Sequence, residues 1–241
     1  DQSGTVRKDE HMTPENALAA LHAEADEARV TKLKAHFGAS GDYIGIAPGR
    51  LEEMARAWRK EVAFPERLEL ATYLWTSGIH DARLMAAKLL TQARIKDDQE
   101  VWAHLTDWLA QAGNWAEIDA LCAACQRRLA ADTSRMNKVY KLMRHESSLQ
   151  RRAALGITEF LAKSTNPSER EQIALDRICD WLPDALADES KDVHRTAQSW
   201  LRSLAKHDYK RARAIYRGPQ DDADEGDLDT DDDIIAQDND E

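Results

Sequence analysis

Apolar residues recur along most of the chain at the three- and four-residue spacing of amphipathic helices. One clear example is the group Leu68, Leu70, Ala71, Leu74 and Trp75. Runs of β-branched residues are scarce between residues 13 and 217, where Ala, Leu, Arg, Glu and Lys dominate. These five residue types favour helices. The pattern therefore predicts an all-α protein.

Turn and capping residues divide this pattern into short segments. Thr13-Pro14 predicts the first helix start, because a capping hydroxyl precedes a proline. The longest irregular connection runs from Gly38 to Gly45. Further breaks are predicted at Phe64-Pro65, Ser77-Gly78, Lys96–Asp98, Gly113-Asn114, Asp132–Ser134, Glu146–Ser148, Thr165–Pro167 and Asp188–Ser190. About eleven or twelve helices with short links favour an α-solenoid, or superhelix, of HEAT-like antiparallel helix pairs. The tryptophans have no strict period, which favours a degenerate HEAT-like array over a consensus repeat. A compact all-α bundle is the alternative.

Composition changes at both ends of the chain. Residues 221–241 contain twelve Asp or Glu and no Lys or Arg, so residues 218–241 are expected to form an acidic disordered tail. A sharper hypothesis is that this tail mimics nucleic-acid phosphates. Residues 1–11 are interpreted as a tag or disordered leader, because His11-Met12 resembles a cloning junction or a native start. The HEAT-like helical repeat domain is expected over residues 12–217.

The net charge of the helical part is compatible with nucleic acid as a partner. Removing the twelve tail charges from the net −11 leaves +1 for residues 1–220. Basic residues cluster at Arg127-Arg128, Arg151-Arg152 and between Lys206 and Arg217. The whole-chain pI therefore does not argue against DNA binding.

No membrane span, signal peptide or metal site is predicted. The sequence has no run of 18 apolar residues and no apolar N-terminal segment. Its three cysteines fit a reducing cytosol. Cys122 and Cys125 form a single C-x-x-C within a helical pattern, which indicates buried thiols, because zinc sites usually combine two such halves. We expect a monomer in the bacterial cytoplasm without a cofactor.

The stretch from Gly113 to Leu121 is the first candidate site. Asn114 can cap a helix, with Glu117 three residues later as in a capping box. Trp115 and Asp119 are four residues apart and share one helix face. An indole beside a carboxylate suits a site that handles a cation. The alternatives are a core Trp115 and a salt bridge from Asp119 to an Arg of a neighbouring helix.

Two further stretches combine cations with polar or aromatic residues. Arg151 and Arg152 follow Ser147-Ser148 near a predicted helix start. Cations oppose the helix dipole there, which indicates an external anion such as phosphate. The alternative is an Arg pair bonded to acidic neighbours. Trp200 lies in a predicted helix rich in cations, which suits nucleic acid, although a core position is the alternative.

Five stretches in order resemble the AlkD family of bacterial DNA alkylation repair glycosylases, which are built from HEAT-like repeats. The resemblance covers residues 13–216, most of the helical part. The matching stretches are Leu33–Phe37 with Tyr43–Ile46 and Pro48; Leu74–Ser77 through Ala87; Trp115-x-x-x-Asp119; Leu149–Ala154; and Trp200–Arg202.

The resemblance implies a base-excision-repair enzyme acting on double-stranded DNA. Its substrates would be positively charged N-alkylated purines such as 3-methyladenine and 7-methylguanine, removed while still stacked and without a metal or cofactor. Asp119 would be catalytic. Trp115, Trp200, Arg152, Arg151 and Lys34 would contact substrate or DNA. The alternatives are a non-catalytic HEAT-like DNA-binding module and a protein-interaction solenoid.

Overall fold

The computed structural model describes residues 12–218, and within that range the chain is helical. Twelve α-helices follow one another without a strand: α1 Pro14–His22, α2 Glu27–Phe37, α3 Pro48–Glu61, α4 Glu66–Thr76, α5 His80–Leu89, α6 Gln99–Gln111, α7 Trp115–Ala131, α8 Met136–Leu142, α9 Ser148–Lys163, α10 Glu169–Leu186, α11 Lys191–Ala205 and α12 Tyr209–Arg217. A 3₁₀ turn, Thr133–Arg135, precedes α8. The expected leader and the acidic residues of the expected tail lie outside the described residues, so both expectations stay predictions.

The helix boundaries agree with the predicted breaks, and the structure has two further breaks that were not predicted. Every predicted break falls at a junction between two helices, and Ser148 of one break is the first residue of α9. Thr13 caps α1 through its hydroxyl, which accepts from the Asn16 N–H at 3.1 Å. The added starts use Asp26 before α2 and Asp208 before α12, whose carboxylates accept backbone N–H groups. Neither stretch contains Gly or Pro, which explains why no strong break was predicted there.

The described residues belong to two compact units, divided between Trp108 and Leu109. In the first unit α5 packs on α3 and α4, and the Trp75 and Trp108 rings stack with centroids 5.0 Å apart. Asp81, 2% exposed, lies near the start of α5. Its carboxylate accepts the N–H groups of Ile44 and Ile46 at 2.7 and 2.9 Å. These bonds fix the loop between α2 and α3 to α5.

The second unit is built around α9. This helix packs against both α7 and α11, while α10 and α12 pack on α11. Contacts between every second helix are those expected of stacked helix pairs. Whether residues 12–217 form one repeat domain stays a prediction.

A close approach of α7 to α9 is centred on Gly156. A Cβ at this position would lie 2.8 Å from the Cys122 sulfur, and the Gln126 side chain donates to the Gly156 carbonyl at 2.8 Å. Cys122 and Cys125 are buried thiols, as the helical pattern indicated, and Cys179 is buried as well. This interface fixes the two helices that carry the candidate site.

Two features are absent from residues 12–218. No helix among them is long and apolar enough to cross a membrane. The same residues contain no group of three or more His, Cys, Asp or Glu side chains placed to hold a metal ion.

Candidate functional site

The start of α7 is set by Asn114. Its side-chain oxygen accepts the Glu117 N–H at 3.0 Å, and its side-chain nitrogen donates to the Glu117 carboxylate at 2.9 Å. The predicted cap is confirmed, with Glu117 bonded to the side chain of the capping residue. This reciprocal pair makes Trp115 the first residue of α7 and places Asp119 one turn later.

Trp115, Asp119 and Arg152 form one cluster between α7 and α9. Arg152 donates through Nε and Nη2 to the two Asp119 carboxylate oxygens, each at 2.9 Å. The Arg152 guanidinium also lies 5.3 Å from the centre of the Trp115 ring. The structure therefore brings together three residues that the sequence singled out separately. The neighbouring-helix arginine considered as a partner for Asp119 is Arg152.

The cluster is accessible, and its charges are paired. Trp115 is 38% exposed, and the Asp119 and Arg152 side chains are 45% and 17% exposed. The hydrogen bond that Arg152 donates to Asp119 raises the pKa of Arg152, and burial acts in the opposite direction. Without a ligand the ion pair has no net charge. An exposed indole and carboxylate beside a fixed guanidinium are chemically suited to a partner carrying both a phosphate and a developing cation.

The Arg151 side chain forms hydrogen bonds within the protein instead of facing an external ligand. Its Nε and Nη2 donate to the Asp188 carboxylate at 2.7 and 3.0 Å, and its Nη1 donates to the carbonyls of His145 and Glu146, both at 2.8 Å. These bonds satisfy the predicted anion requirement from within the chain. We therefore do not include Arg151 among the residues proposed to bind DNA.

Trp200 lies in the core, contrary to the expectation that it contacts DNA. The side chain is 2% exposed, and its Nε1 donates to the Thr158 hydroxyl of α9 at 3.2 Å. Trp200 shares the buried face of α11 with Val193, Ala197 and Leu204. A ring in this position cannot reach DNA in this structure, and the core alternative describes it correctly.

Lys34 lies in the first unit, in the last turn of α2, with an exposed side chain. Its proposed contact with DNA stays a prediction.

A stripe of basic residues runs along α11 to its C-cap residue Lys206, on the helix whose cations the sequence singled out as suited to nucleic acid. Lys191, Arg195, Arg202 and Lys206 are four, seven and four residues apart, so they share one face over about 22 Å. Among residues 12–218 no ion pair is described for Lys191, Arg195 or Lys206. Asp192 on the same helix acts electrostatically on Arg152.

Comparison with known proteins identifies the family. A model of the family described as DNA alkylation repair enzyme matches residues 17–215. The chain belongs to the DNA alkylation repair enzyme family. The match contains α2 to α11 in full and includes Trp115, Asp119 and Arg152. No curated protein matches the chain.

A solved structure supports the fold of this family member. It represents "a new family of proteins related to the HEAT-like repeat DNA glycosylases with affinity for branched DNA structures". The two chains are 16% identical, with a TM-score of 0.66 over 86% of this chain and 83% of the other. At this identity the similarity concerns the fold, and the predicted all-α, HEAT-like fold is confirmed.

Proposed function

We propose that the protein is a DNA glycosylase that removes positively charged N-alkylated purines from duplex DNA. The observation that carries this proposal is the exposed carboxylate of Asp119, held beside the exposed indole of Trp115. Membership of the DNA alkylation repair enzyme family supports the same substrate class. The basic stripe on α11 supplies a surface for the DNA backbone.

The reaction follows from the charge of the alkylated base. Alkylation makes the purine a cation, so the base leaves as a neutral molecule when the glycosidic bond breaks and takes the bonding electrons with it. Positive charge then develops on the deoxyribose. The Asp119 carboxylate stabilises that charge, and the Trp115 ring attracts it through its electron-rich face. Water adds to the sugar carbon, and Asp119 accepts the proton that this water releases.

Release of 7-methylguanine from methylated duplex DNA tests the proposal. Asp119→Asn should lower the release rate by about 100-fold or more, because the variant keeps the shape of the side chain and loses its charge. Asp176→Asn is a matched control, since Asp176 also pairs with an arginine, Arg211, at 2.9 Å and is exposed. This control should release the base at the wild-type rate. Equal rates for Asp119→Asn and the wild type would rule out the catalytic assignment.

A second function is a DNA-binding module without base release. It is favoured by the Asp119–Arg152 pair, which compensates the charge of the carboxylate in the DNA-free structure. The solved relative described by its affinity for branched DNA points in the same direction. This alternative predicts tighter binding to a four-way junction than to duplex DNA. It also predicts no base release by the wild type under conditions in which the DNA is fully bound.

A further inference from the structure

One edge of the Arg152 guanidinium is hydrogen-bonded to Asp119, and another edge is available to a ligand. Nε and one N–H of Nη2 point to Asp119. A guanidinium has five N–H donors, so two on Nη1 and one on Nη2 remain. Among residues 12–218 no acceptor is described for Nη1. The available edge has the two-donor spacing that binds two oxygens of a phosphate.

The position of this edge is fixed before any ligand arrives. Asp119 holds the guanidinium through two hydrogen bonds, the Trp115 ring lies against it, and the side chain is 17% exposed. Arginine normally loses considerable rotamer freedom when it binds a ligand. Here that loss has already occurred within the folded protein, so a phosphate meets a prearranged donor pair.

The geometry favours simultaneous binding over an exchange of partners. A phosphate that displaced Asp119 would break two charge-assisted hydrogen bonds to the Arg152 guanidinium. A phosphate at the outer edge breaks neither bond. It also leaves the carboxylate beside Trp115, where the proposed reaction requires it.

We propose that Asp119 is a positioning residue for Arg152, in addition to its role in base release. Asp119 holds Arg152 so that the Nη1 edge binds a backbone phosphodiester while the ion pair stays formed. This inference rests on the proposed DNA binding. The bound phosphate changes the local charge from zero to −1, which favours a cationic sugar next to the cluster.

Equilibrium binding of undamaged duplex DNA at several salt concentrations tests the inference without requiring base release. Removing an acidic side chain from a DNA-binding surface ordinarily tightens binding, because it removes repulsion from phosphate. The positioning role predicts the opposite sign for Asp119→Asn. Binding should weaken about tenfold, and the slope of log K against log salt should fall by about one phosphate contact.

Asp192→Asn is the matched control. Asp192 also acts on Arg152 electrostatically, but no hydrogen bond between them is described within residues 12–218. Its variant should bind as tightly as the wild type or more tightly. Arg152→Lys keeps the positive charge but loses the two-donor guanidinium. When Asp119→Asn is added to this variant, DNA binding should weaken little further, since both substitutions disrupt the same phosphate contact. Thermal unfolding of each variant checks that the fold is retained.

The outcomes separate this inference from the proposed function. Tighter or unchanged binding by Asp119→Asn with an unchanged salt slope would overturn the positioning role, even if base release were lost. Weaker binding with a smaller slope would support it, even if the wild type released no base. Absence of DNA binding by the wild type at low salt would overturn both proposals.

Discussion

Arg151 and Arg152 are adjacent in sequence and have different roles. Arg151 bonds Asp188 and two carbonyls at the turn before α9, while Arg152 points to α7 and bonds Asp119. Successive residues on a helix point about 100° apart, so neighbouring side chains meet different elements. The sequence indicated that both arginines need an anionic partner. In the fold, the partner of Arg151 is Asp188, which stabilises the structure, and the partner of Arg152 is Asp119, which belongs to the candidate site.

The Arg151–Asp188 pair predicts a specific loss of stability in acid. The hydrogen bond from Arg151 lowers the pKa of Asp188 below its usual value, and the Asp188 side chain is 9% exposed. A lowered folded-state pKa stabilises the fold above the unfolded pKa of about 3.9, and this contribution disappears as the pH falls through the folded value. Asp188→Asn should therefore cost about 2 kcal/mol at pH 7 and much less near pH 2.

Urea unfolding of wild type and Asp188→Asn at both pH values measures this difference. Asp176→Asn is the control, because its pKa is also lowered by an arginine, while its side chain is 52% exposed. An exposed pair contributes less than about 1 kcal/mol. A constant difference between wild type and Asp188→Asn at the two pH values would contradict the assignment.

The candidate site was predictable only in part. Trp115 and Asp119 share a face because they are four residues apart, and the resemblance singled out Arg152. Trp200 was grouped with the residues that contact DNA, although its helical spacing to Val193, Ala197 and Leu204 favours the core position that had been the alternative. The contact between Arg152 and Asp119 joins residues 33 positions apart, and local periodicity contains no information about such a pair.

At the scale of helices, the site depends on how closely α7 approaches α9. Asp119 belongs to α7 and Arg152 to α9, and Gly156 lies one helical turn after Arg152. The absence of a side chain at Gly156 allows the Cys122 sulfur to approach the α9 backbone. Helix boundaries could be predicted from caps and breakers, but this interhelical distance could not, because a helical glycine usually signals only lower helix propensity.

Gly156→Ala should destabilise the protein and disturb the site. A Cβ would lie 2.8 Å from the Cys122 sulfur and 3.1 Å from its Cβ, so the Cys122 side chain or one of the two helices must shift. Overpacking of this kind costs about 1–3 kcal/mol, more than alanine gains in helix propensity. Gly49→Ala is the control, since nothing lies within 4 Å of the position that its Cβ would take. It should be neutral or slightly stabilising.

Chemical denaturation measures the stability of both glycine variants, and binding of undamaged duplex DNA measures the effect on the site. Gly156→Ala should weaken binding because it separates Asp119 from Arg152, while Gly49→Ala should bind as the wild type does. Equal stability of Gly156→Ala and wild type would show that the interface accommodates a methyl group without a shift.

At the scale of the molecule, charge is divided between the two units. Residues 109–218 contain nineteen Lys or Arg and fourteen Asp or Glu, whereas residues 12–108 contain twelve and fifteen. The described residues of the unit that contains the candidate cluster therefore carry a positive net charge, although the whole chain has a net charge of −11. A polyanion is attracted to the local charge distribution within about a Debye length, and the whole-chain value is a poor guide to it.

All three cysteines lie in the second unit, and their burial predicts a loss of stability in alkali. Burial raises the pKa of Cys125 to about 12 and that of Cys179 to about 11. A thiol whose folded pKa is raised stabilises the fold below the unfolded pKa of about 8.5, and that contribution is lost as the pH rises toward the folded value. Each such thiol lowers stability by about 1.4 kcal/mol per pH unit over that interval.

Cys125→Ala removes one of these titrations, so its unfolding free energy should fall less steeply than that of the wild type between about pH 8.5 and 11. At pH 7 the variant should have a lower unfolding free energy than the wild type, because the substitution leaves a small cavity. The difference between the two unfolding free energies should become smaller as the pH rises. Val139→Ala, at another fully buried position of the same unit, removes volume without a titrating group and should keep a constant gap. Parallel curves for wild type and Cys125→Ala would show that the Cys125 thiol does not titrate differently in the folded and unfolded chains.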